Sequence, residues 1–130
     1  MRPRGTMAGL LLLLAAGCGG DAEQTAEVQG RVYYQGKPLE SGTVVFVPDP
    51  SRGGSGPLAR AEIQADGRYR LRTGDKSGAV PGWHRVTVAP GGPAGSPTRT
   101  LPPRFSDPES SGQCQEVKPG QENTIDLHLE

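Results

Sequence analysis

Ile63-Gln64-Ala65-Asp66-Gly67-Arg68-Tyr69-Arg70-Leu71-Arg72-Thr73 alternates apolar and polar residues on either side of Asp66-Gly67. A period of two belongs to half-buried strands, and Asp-Gly between two such runs is a strong hairpin signal. Gly67 takes a positive φ without steric cost, and Asp66 takes it better than most residues, as a type I′ turn requires. Ala61, Ile63 and Ala65 then share one face of the first strand, and Tyr69, Leu71 and Thr73 one face of the second. A lone hairpin is marginal in water, so other apolar runs must cover these faces.

Such runs lie on both sides. Glu27–Tyr34 places Val28, Gly30, Val32 and Tyr34 on one face, and Gln35–Gly42, with Gly36 and Pro38, reads as a turn. Thr43–Val47, closed by Pro48, is an unbroken apolar run, which fits a strand covered on both faces or one with a partly hidden outer face. Asp49–Pro57 is a loop by composition, loose enough for Gly53 to be replaceable. Trp83–Ala89 puts His84, Val86 and Val88 on one face. Glu116–Lys118 and Asn123–Leu129 supply the last two strands around Gly120, with Ile125, Leu127 and Leu129 facing away from Asp126, His128 and Glu130. No helical apolar period persists beyond the N-terminus, and the 13 prolines oppose long helices. About seven short strands separated by turns describe an all-β domain, a β-sandwich or small barrel. Aromatics are only 5% of the chain, so a core of Val, Leu and Ile is expected.

The 130 residues suffice for one such domain. Before it stand Arg2 and Arg4, then the apolar run Ala8–Ala16, far short of the ~20 residues that span a bilayer. This is a targeting segment, not part of the fold. It ends Leu14-Ala15-Ala16-Gly17-Cys18, which resembles the bacterial lipobox, where a Cys is diacylated, exposed by cleavage and usually acylated again with palmitate. The Leu stands one place farther from the Cys than in the commonest form. An ordinary secretory signal cut near Ala16 or Gly17 is the competing reading. The expected organisation is a lipoprotein signal peptide over residues 1–17, an anchor and tether over 18–26, and a β-sandwich over 27–130. Lipid attachment at Cys18 holds the domain to an inner or outer membrane of the cell envelope.

Removal of residues 1–17 takes two of the 14 basic residues and none of the 14 acidic ones, leaving a net charge of −2. The basic residues read as scattered among acids, so no nucleic-acid partner is expected. With Cys18 lipidated, Cys114 has no partner in the chain. No Cys/His spacing matches a zinc site, and no metal or other cofactor is expected.

Val28-x-Gly30-x-Val32, Gly36-Lys37-Pro38-Leu39 and Gly42-x-Val44-x-Phe46-x-Pro48 together resemble the carboxypeptidase regulatory-like (transthyretin-like, prealbumin-like) β-sandwich domain. Asp66-Gly67-Arg68-Tyr69-x-Leu71 and Pro81-Gly82-x-x-x-Val86-x-Val88 continue that pattern. Pro103-Arg104-Phe105-x-Asp107-Pro108, Glu116-Val117, Gly120 and Asn123 resemble the C-terminal part of small planctomycete lipoproteins. The resemblance implies a seven-stranded sandwich without catalytic groups. Two positions depart from it: His84 stands where Tyr is usual, and Gln113 where an apolar residue is common. Transthyretin-like hydrolases of 5-hydroxyisourate need a Tyr-Arg-Gly-Ser terminus, whereas this chain ends Asp126-Leu127-His128-Leu129-Glu130. The Tyr and His residues also lack the motif context of iron-dependent intradiol dioxygenases.

The expectation is therefore a membrane-anchored, non-catalytic module that binds, adheres or supports in the cell envelope, its partner an envelope protein or glycan. The alternative is an accessory part of an envelope transport or polysaccharide-handling complex. Pro90–Thr100 has no large apolar residue and is expected to be mobile. Leu101-Pro102-Pro103-Arg104-Phe105 has two, and prolines limit the entropy lost on docking. Leu101 and Phe105 should pack, leaving Arg104 and Asp107 outside. Arg104, Phe105 and Asp107 form the candidate partner-binding surface, since ordered loops on rigid scaffolds often carry binding.

Overall fold

A computed structural model describes residues 24–91 and 101–130. Cys18, the signal segment 1–17, tether residues 18–23 and loop residues 92–100 lie outside the described residues. The described fold is all-β, with two sheets around one apolar core, the layering of a β-sandwich. Its strands are β1 (Val28–Tyr34), β2 (Lys37–Pro38), β3 (Thr43–Pro48), β4 (Ala59–Glu62), β5 (Arg68–Arg70) and β6 (Arg72–Thr73). They continue with β7 (Lys76–Ser77), β8 (Gly82–Ala89), β9 (Cys114–Val117), β10 (Asn123–Thr124) and β11 (Leu127–Leu129). The alternation predicts fewer and longer segments. Several of them break where the chain changes partner.

The stretch at Asp66-Gly67 shows this most clearly. Gly67 is left-handed, with φ +87°, but Asp66 is not. The Gly67 N–H donates to the Gln64 carbonyl at 2.8 Å and the Gln64 N–H to the Arg68 carbonyl at 2.8 Å. This is a type I turn closed by a left-handed glycine. The type I′ turn lies instead at Gln35-Gly36, where φ is +52° and +85° and β1 turns back into β2. Beyond the Asp66-Gly67 turn the expected hairpin opens. β4 stays in the second sheet beside β3, while β5 joins the first, antiparallel to β1 with Tyr69 opposite Gly30. At Leu71 the chain crosses back: its N–H bonds the Val28 carbonyl at 3.0 Å, and its carbonyl accepts from Gly78 at 2.8 Å. β6 then lies beside β4, with Arg72 opposite Arg60.

β1 is the axis of the first sheet. β5 and β2 flank one edge, and β10 and β11 run parallel to it on the other, Val28 opposite Asn123 and Val32 opposite Leu127. The expected strand Asn123–Leu129 is interrupted at Ile125-Asp126 for a definable reason. A regular parallel ladder would send the Arg31 N–H to the Ile125 carbonyl. That carbonyl instead turns over Gly30, where a Cβ would collide with it, and accepts the Tyr69 hydroxyl at 2.5 Å. The freed Arg31 N–H takes the Asp126 carboxylate at 3.0 Å. The Ile125 carbonyl, the Arg31 N–H and the Tyr69 hydroxyl thus all keep partners at the break.

The second sheet runs β7-β6-β4-β3-β8-β9, antiparallel throughout. In β3, Val44 and Phe46 are fully buried while Val45 and Val47 are half-buried, so its outer face is partly hidden. The core joins Val28, Val32, Leu127 and Leu129 of one sheet to Val44, Phe46, Val86, Val88 and Val117 of the other. Aromatics take a larger share of it than their number predicts. Phe46, Tyr69 and Phe105 all belong to it, and Phe46 lies 6.3 Å from Tyr69 between ring centroids. His84 is also fully buried. Thr25 and Ala26, which the composition assigns to the tether, belong to the domain. Ala26 and Ala79 exchange two backbone bonds of 2.9 Å.

Candidate functional site

An open groove of about 1110 Å³ lies at the place where the chain changes sheet. Arg68, Arg70 and Arg72 alternate with the buried Tyr69 and Leu71, so all three project from one side of the crossing strand. Arg31 of β1 and Arg60 of β4 complete five arginines lining the groove. Glu62 and Asp126 are the acids among its lining residues, with Gln29, Gln64 and Thr124 as neutral polar groups.

The two walls hold their arginines differently. On the first sheet, Arg70 reaches Glu27 at 3.1 Å and the Gln29 amide oxygen at 2.6 Å, and Arg68 lies 3.4 Å from Asp66. On the second sheet, Arg60 and Arg72 stand directly opposite each other. Arg72 donates to the Asp75 carbonyl at 2.9 Å, a neutral acceptor, and Arg60 is 3.9 Å from Glu62. Tyr33 also lines the groove, its ring stacked on His128 at 4.9 Å and 6°. Beneath, burial pushes the Tyr69 phenol pKa up and the Asp126 charge adds to it, so the hydroxyl stays a donor to Ile125.

A second cluster pins the loop that follows β3. Asp49 is 3% exposed and accepts from the Ser51 hydroxyl at 2.7 Å, the Ser51 N–H at 3.0 Å and Arg85 at 3.2 Å. The Ser51 hydroxyl, with help from Arg85, holds the Asp49 carboxyl below its ordinary pKa against the opposing effect of burial. Arg85 continues to Glu109 at 2.8 Å. The loop is therefore built rather than loose, and Gly53 within it has φ +81°, where a side chain is strained. The Cys114 thiol donates weakly to the Asp49 carboxylate at 4.0 Å.

The residues expected to meet a partner separate into two groups. Phe105 is 2% exposed and sits edge-on to Tyr34 at 6.5 Å. It docks the loop and offers no surface of its own. Leu101 is 5% exposed and packs with it in the core. Arg104 and Asp107 are exposed but occupied locally. Arg104 covers the Phe105 ring at 4.5 Å and donates to the Glu130 carbonyl at 2.5 Å. Asp107 accepts the Glu109 N–H at 2.9 Å in a side-chain-closed turn. Gln113 does not loosen its segment, because its carbonyl accepts from Val86 at 2.9 Å.

Neither histidine is placed for ligation. His84 is wholly buried 5.7 Å from the Phe46 ring, with Nδ1 3.0 Å from the Gly82 carbonyl and no partner at Nε2. Burial pushes its pKa down, and the Gly82 carbonyl offsets part of that. Trp83 is half-buried with Arg52 over its ring at 4.6 Å. Among the described residues, no three His, Cys, Asp or Glu side chains form a metal-binding group, and no helix is long and apolar enough to cross a membrane. No protein-family model, curated protein or solved structure matches the chain.

Proposed function

We propose that this chain is a lipid-anchored, non-catalytic module of a bacterial cell envelope, built on a transthyretin-like sandwich of the carboxypeptidase regulatory-like kind. Its working surface is the groove between the two sheets. The observation that carries this reading is the convergence of five arginines from four strands on one open concavity. Convergent guanidiniums on a rigid sheet favour binding over chemistry here, because arginine serves as neither nucleophile nor base. The groove's two carboxylates are engaged by Arg60 and the Arg31 N–H, and neither histidine nor Cys114 lines it. His84 is buried, His128 is stacked on Tyr33, and Cys114 faces a carboxylate. The lipobox-like Leu14–Cys18 supports the anchor. Acyl chains contribute ~0.8 kcal/mol per buried CH₂, so two or three hold a small domain permanently at the membrane.

Fractionation of cells expressing the full chain tests the reading. The wild type should enter the detergent phase, and Cys18→Ser should leave it or stall unprocessed. A Cys18→Ser protein found wholly in the detergent phase overturns the anchor.

A further inference from the structure

We propose that the groove binds an acidic polysaccharide carrying carboxylate groups along its length, a proposal that rests on the groove being the module's working surface. Arg60 and Arg72 are the first argument. They are a directly opposed cross-strand pair, and like charges in that position repel. Their neighbours relieve the repulsion only in part, since Arg72 bonds a neutral carbonyl and Glu62 lies 3.9 Å from Arg60 alone. An anionic group seated between the two guanidiniums removes the cost, and a carboxylate matches the planar fork of arginine.

The second argument is repetition. Arg68 and Arg70 are two residues apart on one strand, about 6.6–6.8 Å along its axis, and Arg72 follows at the same interval in sequence. Arg70 and Arg68 are already oriented by Glu27, Gln29 and Asp66, so less side-chain freedom is lost on binding. At about 1110 Å³ the groove is open to solvent, unlike the enclosing pockets that bury most of a small ligand. A chain fits it better than a monomer.

The third argument separates a glycan from other polyanions. Glu62, Asp126, Gln29 and Gln64 supply acceptors beside the arginines, and sugar hydroxyls supply donors at every unit. DNA strands bring no backbone hydroxyl donors to these acceptors. Their bases need stacking platforms, yet Tyr33 is stacked on His128. An acidic peptide brings few donors besides its backbone.

The test uses the full chain in detergent and measures affinity for polygalacturonate, neutral dextran, oligothymidylate and polyglutamate. Polygalacturonate should bind, dextran should not, and added salt should weaken binding because the guanidiniums are exposed. Arg60→Gln/Arg72→Gln should weaken polygalacturonate binding by at least about tenfold, with Lys118→Gln unchanged. The double variant should melt no lower than wild type, since it removes a like-charged pair. Equal binding by wild type and double variant overturns the proposal. Polyglutamate or oligothymidylate binding as tightly as polygalacturonate also overturns it. Absence of any polymer binding does so too, and leaves the membrane attachment, read by fractionation, intact.

Discussion

Gly30→Ala should be among the most damaging single-methyl additions in the molecule. Its Cβ would occupy the position of the Ile125 carbonyl. That carbonyl cannot yield without releasing the Tyr69 hydroxyl, which it accepts at 2.5 Å. Tyr69 is 2% exposed, so its hydroxyl would lose its partner where water does not replace it. An orphaned buried donor costs about 1–3 kcal/mol, and displacing packed backbone about 1–3 more. Alanine returns about 0.5–1 kcal/mol through the unfolded chain. The net is a loss of about 3 kcal/mol, roughly 12–24 °C in melting temperature for a domain of this size. Tyr69→Phe alone should cost about 1–2 kcal/mol. Because both changes act through the Ile125 carbonyl, the double variant should fall short of the sum by about 0.5–1 kcal/mol. Urea unfolding followed by Trp83 fluorescence measures all three. A Gly30→Ala cost below about 1 kcal/mol, or strict additivity, would refute the crossing described at Ile125.

Burial lowers the His84 pKa, so between the folded pKa and its ordinary 6.5 the unfolded chain binds a proton that the folded chain refuses. Stability from this group is therefore complete above pH 6.5 and declines as pH falls below it, by up to about 1.4 kcal/mol per unit. His84→Phe should flatten that part of the urea-midpoint profile, and an unchanged slope would contradict the burial. Phe105→Ala should cost about 3–5 kcal/mol and bring early proteolytic cuts to the segment from Leu101 to Ser111, whereas cuts there in the wild type would mean it is undocked. Gly53→Val and Gly67→Val should each cost about 1–2 kcal/mol in backbone strain. Gly67→Val should cost more, because its Cβ would also meet Pro38 at 3.0 Å while nothing lies within 4 Å at Gly53.

Much of the strand pattern was legible because side-chain alternation is a local property. Val28, Val32, Val86, Val88, Leu127 and Leu129 all face the core as their spacing predicts, whereas the unbroken run Thr43–Val47 did not say that Val44 and Phe46 would be the inward pair. Docking of Leu101 and Phe105 was legible for a similar reason, as large apolar residues amid prolines have nowhere else to go. Pairing was not legible. The bonds at Gln64–Arg68 close the turn whether or not its flanks stay together, and the same alternation serves β5 in either sheet. Parallel β10 and β11 find β1 from the far end of the chain, which no local signal encodes. The groove was half visible. Arg68-x-Arg70-x-Arg72 declares one exposed face, but Arg31 and Arg60 join it only through register, so the charge reads as scattered along the sequence.

A photo-crosslinking side chain placed at Gln64, which lines the groove, and separately at Ser110, beside Arg104 and Asp107, distinguishes the two surfaces in living cells. A membrane-anchored module working through its groove should form ultraviolet-dependent adducts from Gln64 in the membrane fraction. Those adducts should disappear with Arg60→Gln/Arg72→Gln, and Ser110 should give none. Adducts from Ser110 alone, or Gln64 adducts that persist without the two arginines, would contradict it.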